Sequence, residues 1–214
     1  GSILTMNSFE SLRNEVPRTP EVERCSVEVF DLNMLSWKYV GKNIMAVELS
    51  AFGEEKSFGE ETLENDFMNP ENTIVILRDA QAEEIIGFTY AKPTVEAYPE
   101  DFPERSVSED TAYIYDTALK KEYQGKGLVQ VLIERLEGEL AKKGYRFIER
   151  DSADYSPESV SKIDERTGAK RETYADKVRK TYGERIEREE KHDSEYGSQV
   201  FFRIRLKSPE GYGS

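Results

Sequence analysis

Two glycines stand directly before the most regular helical pattern of the sequence. Gln124, Gly125, Lys126 and Gly127 open the segment 127–143, whose apolar residues recur at helical spacing. The N-terminus of a helix has unpaired backbone N–H groups and the positive end of the helix dipole. Because glycine lets a ligand come close to the backbone, these residues indicate a site for a phosphate or pyrophosphate group.

Two nucleotide-binding motifs do not fit this segment. A P-loop requires Ser or Thr after its Gly-Lys pair, whereas Gly127 follows Lys126 here. A dinucleotide fingerprint has three spaced glycines near the start of a βαβ unit, whereas this segment has two and lies in mid-chain. A plain strand-to-helix turn is the alternative, because a short Gly-x-Gly before a helix is weak evidence by itself.

The composition excludes several kinds of partner and site. The chain has 43 acidic and 30 basic residues and a formal charge of −13. We therefore expect neither nucleic acid nor a membrane as a main partner, since an acidic surface repels both, and a positively charged substrate is favoured. A single cysteine, Cys25, excludes an intramolecular disulfide. With a single histidine, His192, we expect no metal site.

Apolar periodicity predicts strands and helices that alternate along the chain. We expect strands at 27–32, 73–77, 85–91, 111–119, 145–149, 184–190 and 199–206. We expect helices at 35–52, 60–68, 127–143 and 174–182. The apolar stripe of the third helix consists of Val129, Leu132, Ile133, Leu136 and Leu140. The acidic, proline-containing stretch 93–110 is interpreted as a loop, and the whole order predicts an α/β domain with a mixed sheet.

The two ends of the chain lack this patterning. Residues 1–25 predict a flexible N-terminal tail, in which Gly1 and Ser2 resemble the residues that a cleaved tag leaves behind. The patterned domain is predicted to span 26–208, with a short C-terminal tail at 209–214. Because no secretory signal and no apolar run of membrane length is visible, we expect a cytoplasmic protein.

Beyond these patterns, the sequence resembles the GCN5-related N-acetyltransferases, the GNAT superfamily. The family signature is Gln or Arg, two residues, Gly, one residue, and then Gly or Ala. Gln124, Gly127 and Val129 occupy these three places, and Val129 departs from the small residue of the signature. The order of elements over 27–206 matches the family. The resemblance therefore implies an α/β fold with a mixed, mostly antiparallel central sheet flanked by helices.

The resemblance also implies transfer of an acetyl group from acetyl-CoA to an amine. In the family, the end of the strand before the signature bonds the pantetheine arm like an added strand, and the signature holds the pyrophosphate. The corresponding strand residues are Thr117, Ala118 and Leu119. The corresponding signature residues are Gln124, Gly125, Lys126, Gly127, Leu128, Val129 and Gln130.

An amine must lose a proton before it attacks, and a carboxylate can accept that proton. In some family members a Glu at the position of Glu149 does so; the alternative is a strand carboxylate paired with a base such as Arg150. Tyr113 falls where many members carry a Glu, which departs from the usual assignment. Asp116, one residue before the pantetheine-binding stretch, is the second candidate base.

The leaving thiolate needs a proton donor, which in the family is commonly a Tyr about four residues before a Gly. Counting back from Gly183 reaches Arg179 and not a tyrosine. We take Tyr182 as the candidate acid, and the alternative is a core aromatic that closes its helix.

Two functions stay open at this point. One is an acetyl-CoA-dependent N-acetyltransferase in which the amine attacks directly. The other is a degenerate module that binds acyl-CoA or a partner without turnover. Val129, Tyr113 and Arg179 favour this second function, because each departs from the residue usual in the family. The acceptor is expected to be a small-molecule or peptide amine, and the acids clustered in 93–110 favour a cation. The sequence carries no signal for the oligomeric state.

Overall fold

The computed structural model describes residues 20–156, 159 and 161–213 of the chain. The predicted N-terminal tail lies outside the described residues over 1–19, as does Ser214 at the other end. Among the helices in the described ranges, none combines the length and the apolar composition needed to cross a bilayer.

The chain divides into two compact units. The first contains the residues up to Tyr145 together with those from Lys207 onward, and the second is Arg146–Leu206. In the first unit, Pro20–Glu23 forms a short helix, α1, ahead of the first strand. Near the C-terminus of the same unit, Pro209–Tyr212 forms one turn of 3-10 helix.

Four strands form the sheet of the first unit, and each pairs antiparallel with the next in sequence. They are Cys25–Val29 (β1), Thr73–Asp79 (β2), Glu84–Pro93 (β3) and Thr111–Leu119 (β4). Residues 74–77 of β2 are all buried, as expected of an apolar strand that is covered on both faces. The predicted strands at 73–77, 85–91 and 111–119 are confirmed, whereas the first strand begins at Cys25 and not at residue 27.

The helices of this unit confirm three predictions and correct one. They are Trp37–Lys56 (α2), Glu60–Phe67 (α3), Thr94–Asp101 (α4) and Leu128–Lys142 (α5). The prediction of a loop over 93–110 is wrong at α4. Pro93 is the N-cap residue of this helix, and Ala97 and Tyr98 are almost fully buried. The packing of these side chains therefore outweighs an acidic, proline-containing composition that by itself disfavours a helix.

α2 and α3 pack on the sheet through one hydrophobic core. Ile44 and Val47 of α2, Leu63 and Phe67 of α3 and Phe88 of β3 are fully buried in it. Phe67 and Phe88 meet edge to face, with ring centroids 5.5 Å apart. Burial of a side chain of this size contributes about 1.5–3 kcal/mol, so this cluster fixes both helices on the sheet.

α5 buries one apolar stripe, but the stripe is not the predicted one throughout. Leu128, Leu132, Leu136 and Leu140 recur every fourth residue and are buried. The predicted stripe includes Val129, yet its side chain is 41% exposed. Leu128 takes its place, because residues four apart lie on the same face of a helix and adjacent residues do not.

β4 contains a β-bulge. Tyr90 pairs with Asp116 and the next residue, Ala91, pairs with Ile114, so Tyr115 is the extra residue of β4. Bulges of this kind re-aim side chains and occur often beside functional sites. Here the bulge directly precedes the strand end to which the family resemblance assigns pantetheine binding.

The described residues of the second unit, 146–156, 159 and 161–206, form three antiparallel strands and one α-helix. Its strands are Phe147–Ala153 (β5), Ile186–Ser194 (β6) and Gly197–Arg205 (β7), and β7 pairs with both of the others. The helix Tyr174–Tyr182 (α6) begins with a capping box, in which Thr173 and Asp176 each accept a hydrogen bond from the other's backbone N–H. The predicted helix and the three predicted strands of this region are confirmed, with shifted ends.

Candidate functional site

The glycine motif forms an open helix N-terminus. Gly125 and Gly127 have φ values of 78° and 81°, in the left-handed region that residues with a side chain rarely adopt. Gly127 is the N-cap of α5, and within the described part of the chain no side chain caps it and no acid lies in the first helical turn. The backbone N–H groups at the start of α5 are therefore available to an anionic ligand.

The predicted cofactor-binding residues of the motif differ in how far they are exposed to solvent. Gln124, Gly125, Gly127, Val129 and Gln130 are exposed, whereas the side chain of Leu128 is fully buried under the helix. Lys126 is half-buried, with its Nζ 6.0 Å from the centroid of the Tyr123 ring. The backbone of the motif is thus accessible, while Leu128 anchors the helix beneath it.

A hydrogen bond joins the motif to the strand end that precedes it. The Nε2 of Gln124 donates to the carbonyl oxygen of Leu119 at 2.8 Å. On the strand, the Thr117 hydroxyl lies 2.8 Å from the hydroxyl of Thr89, and Ala118 is buried. The structure therefore brings together, within one unit, all ten residues that the resemblance assigns to CoA.

The buried carboxylate of Asp79 binds Tyr123, the residue directly before the glycine motif. The Tyr123 hydroxyl donates to Asp79 Oδ2 at 2.5 Å, and Arg24 Nε lies 3.0 Å from the same carboxylate. Asp79 is 1% exposed. Burial raises its pKa, but the hydrogen bonds from Tyr123 and Arg24 outweigh burial and leave the pKa below its ordinary value. Sequence reasoning missed this contact, which links residues 44 positions apart.

Asp116, the second candidate base, is one member of a buried carboxyl pair. Asp116 is 5% exposed and Glu48 of α2 is fully buried, and the two carboxyl groups lie within hydrogen-bonding reach of each other. Burial raises the pKa of Asp116 well above its ordinary value, and the negative charge of Glu48 raises it further. Burial also raises the pKa of Glu48. Asp116 therefore keeps its proton to a higher pH than an exposed aspartate does.

Aromatic and charged side chains surround Tyr115 next to this pair. The Phe58 ring lies 4.9 Å from the Tyr115 ring, and Lys92 Nζ lies 3.7 Å from the Tyr115 centroid. Lys92 also pairs with Asp66 Oδ1 at 2.9 Å. Burial, and then the negative charge of Asp101, raise the pKa of Tyr115 above its ordinary value, so its hydroxyl stays protonated.

Glu149, the first candidate base, forms an ion pair. It lies on β5, is 4% exposed, and its Oε2 accepts from Arg203 Nη1 at 2.9 Å. The Arg203 guanidinium also lies over the Phe147 ring at 4.0 Å. A partner for Glu149 was expected as the alternative to a catalytic role, but the residue in that place is Arg203 of β7, not Arg150.

Tyr182, the candidate acid, is the last residue of α6 and is 5% exposed. The Arg185 guanidinium lies 5.1 Å from its ring centroid. Arg179, which occupies the family's usual tyrosine place, pairs with Asp176 and Glu189 at 2.9 Å each. Tyr182 and Glu149 belong to the second unit, whereas Asp116 and the ten CoA candidates belong to the first.

Tyr113, at the position where many family members carry a glutamate, lies among aromatic side chains. Its ring packs against Tyr98 of α4 at 5.4 Å and against Phe102 at 5.5 Å, and it is 6% exposed. Tyr113 is thus part of a small aromatic core under α4.

The described residues contain no group of three or more His, Cys, Asp or Glu side chains arranged to hold a metal ion.

Sequence reasoning missed Glu48, Phe58 and Tyr115 as site candidates. Glu48 had a readable signal, because it lies four residues after Ile44 and next to Val47 on the apolar face of α2. A charged residue inside an apolar stripe indicates a buried, partnered group. Phe58 and Tyr115 had no comparable signal, since their proximity depends on the packing of α2 and α3 on the sheet.

An open helix N-terminus tied to the end of a bulged antiparallel strand is an arrangement suited to a phosphate-bearing ligand. Residues 41–155 match the sequence model of the Acetyltransferase (GNAT) family, and the chain belongs to this family. The resemblance stated from the signature is thereby confirmed. No curated protein sequence matches the chain.

Solved structures of acetyltransferases share the fold at low sequence identity. The ribosomal-protein-S18-alanine N-acetyltransferase from Escherichia coli is 13% identical with a TM-score of 0.56, over 86% of this chain and 94% of its own. The aminoglycoside 6'-N-acetyltransferase from Enterococcus faecium is 16% identical with a TM-score of 0.58, over 85% and 97%. An aminoglycoside 6'-N-acetyltransferase complexed with coenzyme A is 15% identical with a TM-score of 0.60, over 85% and 97%. The predicted fold class, α/β with a mostly antiparallel sheet flanked by helices, is confirmed.

Proposed function

We propose that the chain is an acetyl-CoA-dependent N-acetyltransferase in which an amine attacks the acetyl group directly. The observation that carries the proposal is the 2.8 Å hydrogen bond from Gln124 to Leu119. This bond holds the glycine motif at the end of β4, where the family binds the two parts of CoA. Membership in the family, and the likeness to an acetyltransferase complexed with coenzyme A, support CoA as the ligand.

The residues of the first unit fit such a ligand. The backbone of 117–119 would bond the pantetheine arm as an added strand. The N–H groups of 125–129 would hold the pyrophosphate at the start of α5, with Gln130 beside them and Lys126 adding a positive charge. Gly125 and Gly127 adopt left-handed conformations that favour glycine, so these two positions place no side chain on this surface.

The reaction moves two protons that the protein must handle. Acetyl-CoA supplies an activated thioester, and a carbon–nitrogen bond forms as the carbon–sulfur bond breaks. An alkylammonium with a pKa near 10.4 must first lose a proton, which costs about 4–5 kcal/mol at pH 7. We assign the acceptance of this proton to Glu149, with Asp116 as the second candidate, and the donation of a proton to the leaving thiolate to Tyr182.

The acceptor is proposed to be a cation. Asp66 and Asp101 lie in the electrostatic surroundings of Tyr115, and the exposed acids of α4 extend the negative charge along the surface. Aromatic rings and carboxylates together attract an ammonium group. The structural relatives include an aminoglycoside acetyltransferase and a protein-alanine acetyltransferase, so small-molecule and peptide amines both belong in the test.

The alternative is a degenerate family member that binds acyl-CoA or a partner without turnover. Three observations favour it: Tyr113 is enclosed in an aromatic cluster, Arg179 is engaged by two carboxylates, and Glu149 is paired with Arg203. In this case the CoA site would be intact, and the proton-transfer groups would serve packing only.

The deciding experiment is an acceptor screen with acetyl-CoA. Thiol release would be measured with polyamines, aminoglycosides, amino acids and peptides, and acetyl-CoA binding would be measured by calorimetry on the same protein. The proposal expects binding together with amine-dependent thiol release and an acetylated product identified by mass. Binding without release by any amine would support the alternative, and absence of binding would overturn both.

A further inference from the structure

Glu48, to which the proposed function gives no role, is in contact with Asp116. Glu48 lies on the buried face of α2 and Asp116 lies next to the bulge of β4. Glu48 Oε2 and Asp116 Oδ2 are buried, and neither has another hydrogen-bonding partner among the described residues. The two carboxyl groups interact with each other, and one unpartnered oxygen on each is available for a shared proton.

Two ionised carboxylates would repel each other strongly in this place. Both carboxyl groups are buried. The charge of Asp66 on α3 acts on Asp116, and the charge of Asp116 acts on Tyr90 of β3 and Tyr115 of β4. The nearby ammonium of Lys92 is paired with Asp66. Adjacent buried carboxyl groups avoid this repulsion by retaining one proton between them, and they then titrate as a pair.

The pair also reaches the acceptor side of the site. Glu48 Oε1 accepts a hydrogen bond from the backbone N–H of Phe58 at 3.2 Å. Phe58 lies in the short connection between α2 and α3, and its 40% exposed ring packs against Tyr115, which precedes Asp116. One carboxyl of the pair therefore holds Phe58, and the other is adjacent to Tyr115.

We propose that Glu48 and Asp116 share one proton and that the pair holds Phe58 against Tyr115, which makes Glu48 a positioning residue for the amine acceptor. The shared proton leaves one negative charge on the pair. That charge lies behind the Phe58 and Tyr115 rings, where it favours an ammonium group over a neutral acceptor. The role assigned to the acceptor rests on the proposed function, whereas the shared proton does not.

The shared proton is tested by infrared spectroscopy, which needs no activity. The carbonyl stretch of a protonated carboxylic acid should be present at neutral pH, and both Glu48→Gln and Asp116→Asn should remove it. In the same proteins, hydrogen exchange at the Phe58 amide should be about tenfold faster in Glu48→Leu than in Glu48→Gln, since only glutamine keeps an acceptor for that N–H. A missing band, or a band that survives both substitutions, would overturn the shared proton.

The positioning role is tested by kinetics with an acceptor from the screen. Glu48→Leu should raise the acceptor KM about tenfold and leave the acetyl-CoA KM within about twofold. Glu48→Gln should recover most of the acceptor KM and should alter the pH dependence of acceptor kcat/KM, because it carries no titratable group. Equal changes in both KM values, or no recovery by glutamine in a folded protein, would overturn the positioning role. If no amine is acetylated, the proposed function fails. The infrared and exchange results would still show whether Glu48 and Asp116 share a proton.

Discussion

The side-chain amide of Gln124 donates a 2.8 Å hydrogen bond to the carbonyl oxygen of Leu119. Leu119 ends β4 and Gln124 opens the glycine motif, so this bond fixes the distance between the two places at which family members bind CoA. The first position of the family signature thus has a structural task in this chain. It sets the position of the backbone that would touch the ligand.

Removal of this bond should weaken the cofactor site. Gln124→Ala is expected to reduce acetyl-CoA affinity about 3- to 10-fold, because one net hydrogen bond contributes about 0.5–1.5 kcal/mol. Calorimetric titration of the folded variant measures the effect. Gln81→Ala, at an exposed position in the turn between β2 and β3, is the matched control and should leave the affinity unchanged. Equal affinities for both variants would show that the bond does not position the site.

Gly127 offers a test of where the pyrophosphate lies. Gly127→Arg should abolish acetyl-CoA binding, since a long side chain would occupy the start of α5. Gly127→Ala separates this effect from backbone strain, because any side chain at a φ of 81° costs about 1–2 kcal/mol. We expect the alanine variant to bind measurably and the arginine variant not to bind, with circular dichroism as the check on folding. Unchanged affinity in a folded arginine variant would remove the site from this motif.

Asp79 should make stability depend on pH in the acid range. Its pKa in the folded protein lies below the ordinary value of 3.8, so its contribution is present above that value and is lost as pH falls through the folded pKa. At neutral pH, Asp79→Asn should lower the free energy of unfolding by about 1–3 kcal/mol, and the difference from the parent protein should shrink below about pH 4. Urea unfolding at several pH values measures this. The exposed Asp193 provides the control, and a pH-independent Asp79→Asn effect would contradict the linkage.

Glu149→Gln should lower turnover most at low pH, where amines are most protonated, and should leave acetyl-CoA affinity nearly intact. Loss of a general base lowers rates about 10²- to 10⁴-fold. Since Glu149 pairs with Arg203, the variant Arg203→Gln is the matched control for loss of the ion pair. It should lower turnover far less than Glu149→Gln does, because it keeps the carboxylate. If both variants behave alike, or if Glu149→Gln keeps the profile, the base lies elsewhere and Asp116 is next to be tested.

Electrostatic capture of a cationic acceptor should depend on the exposed acids in and after α4. Reversal of Glu100, Asp101 and Glu104 to lysine should lower kcat/KM for cationic amines at low salt, and the loss should fade as ionic strength rises. A matched reversal in the second unit uses the exposed residues Glu165, Glu184 and Asp193. A similar effect of both triple variants would assign the effect to net charge. Absence of any preference for cations at low salt would remove the steering hypothesis.

Periodicity predicted most of the fold, because the elements differ in their apolar spacing. The strand Thr73–Asp79 and the helix Leu128–Lys142 show this most clearly. The helix Thr94–Asp101 escaped prediction, since its buried residues are only Thr94, Ala97 and Tyr98 and prolines and acids dominate its composition. A short helix with three buried residues, one of them polar, is too short for an apolar period to be recognised.

The two halves of the candidate site differ in how far the sequence predicts them. The CoA half is contiguous in sequence, so its residues could be named from a local signature. The candidate residues for proton transfer make contacts between positions that are distant in sequence, such as Glu149 with Arg203, which are 54 positions apart. Glu48 with Asp116 is a second such contact. A single sequence does not show which distant residues meet, because that depends on how the helices pack on the sheet.

Tyr115 is a residue that the pairing of β4 with β3 does not use. Without it, the pairs of Tyr90 with Asp116 and of Ala91 with Ile114 would simply become adjacent, and the remaining side chains would keep their faces. The ladder can therefore be built from a strand that is one residue shorter. A deletion of Tyr115 should therefore preserve the pairing of β4 with β3. It would change only the role in ligand binding that we propose for β4.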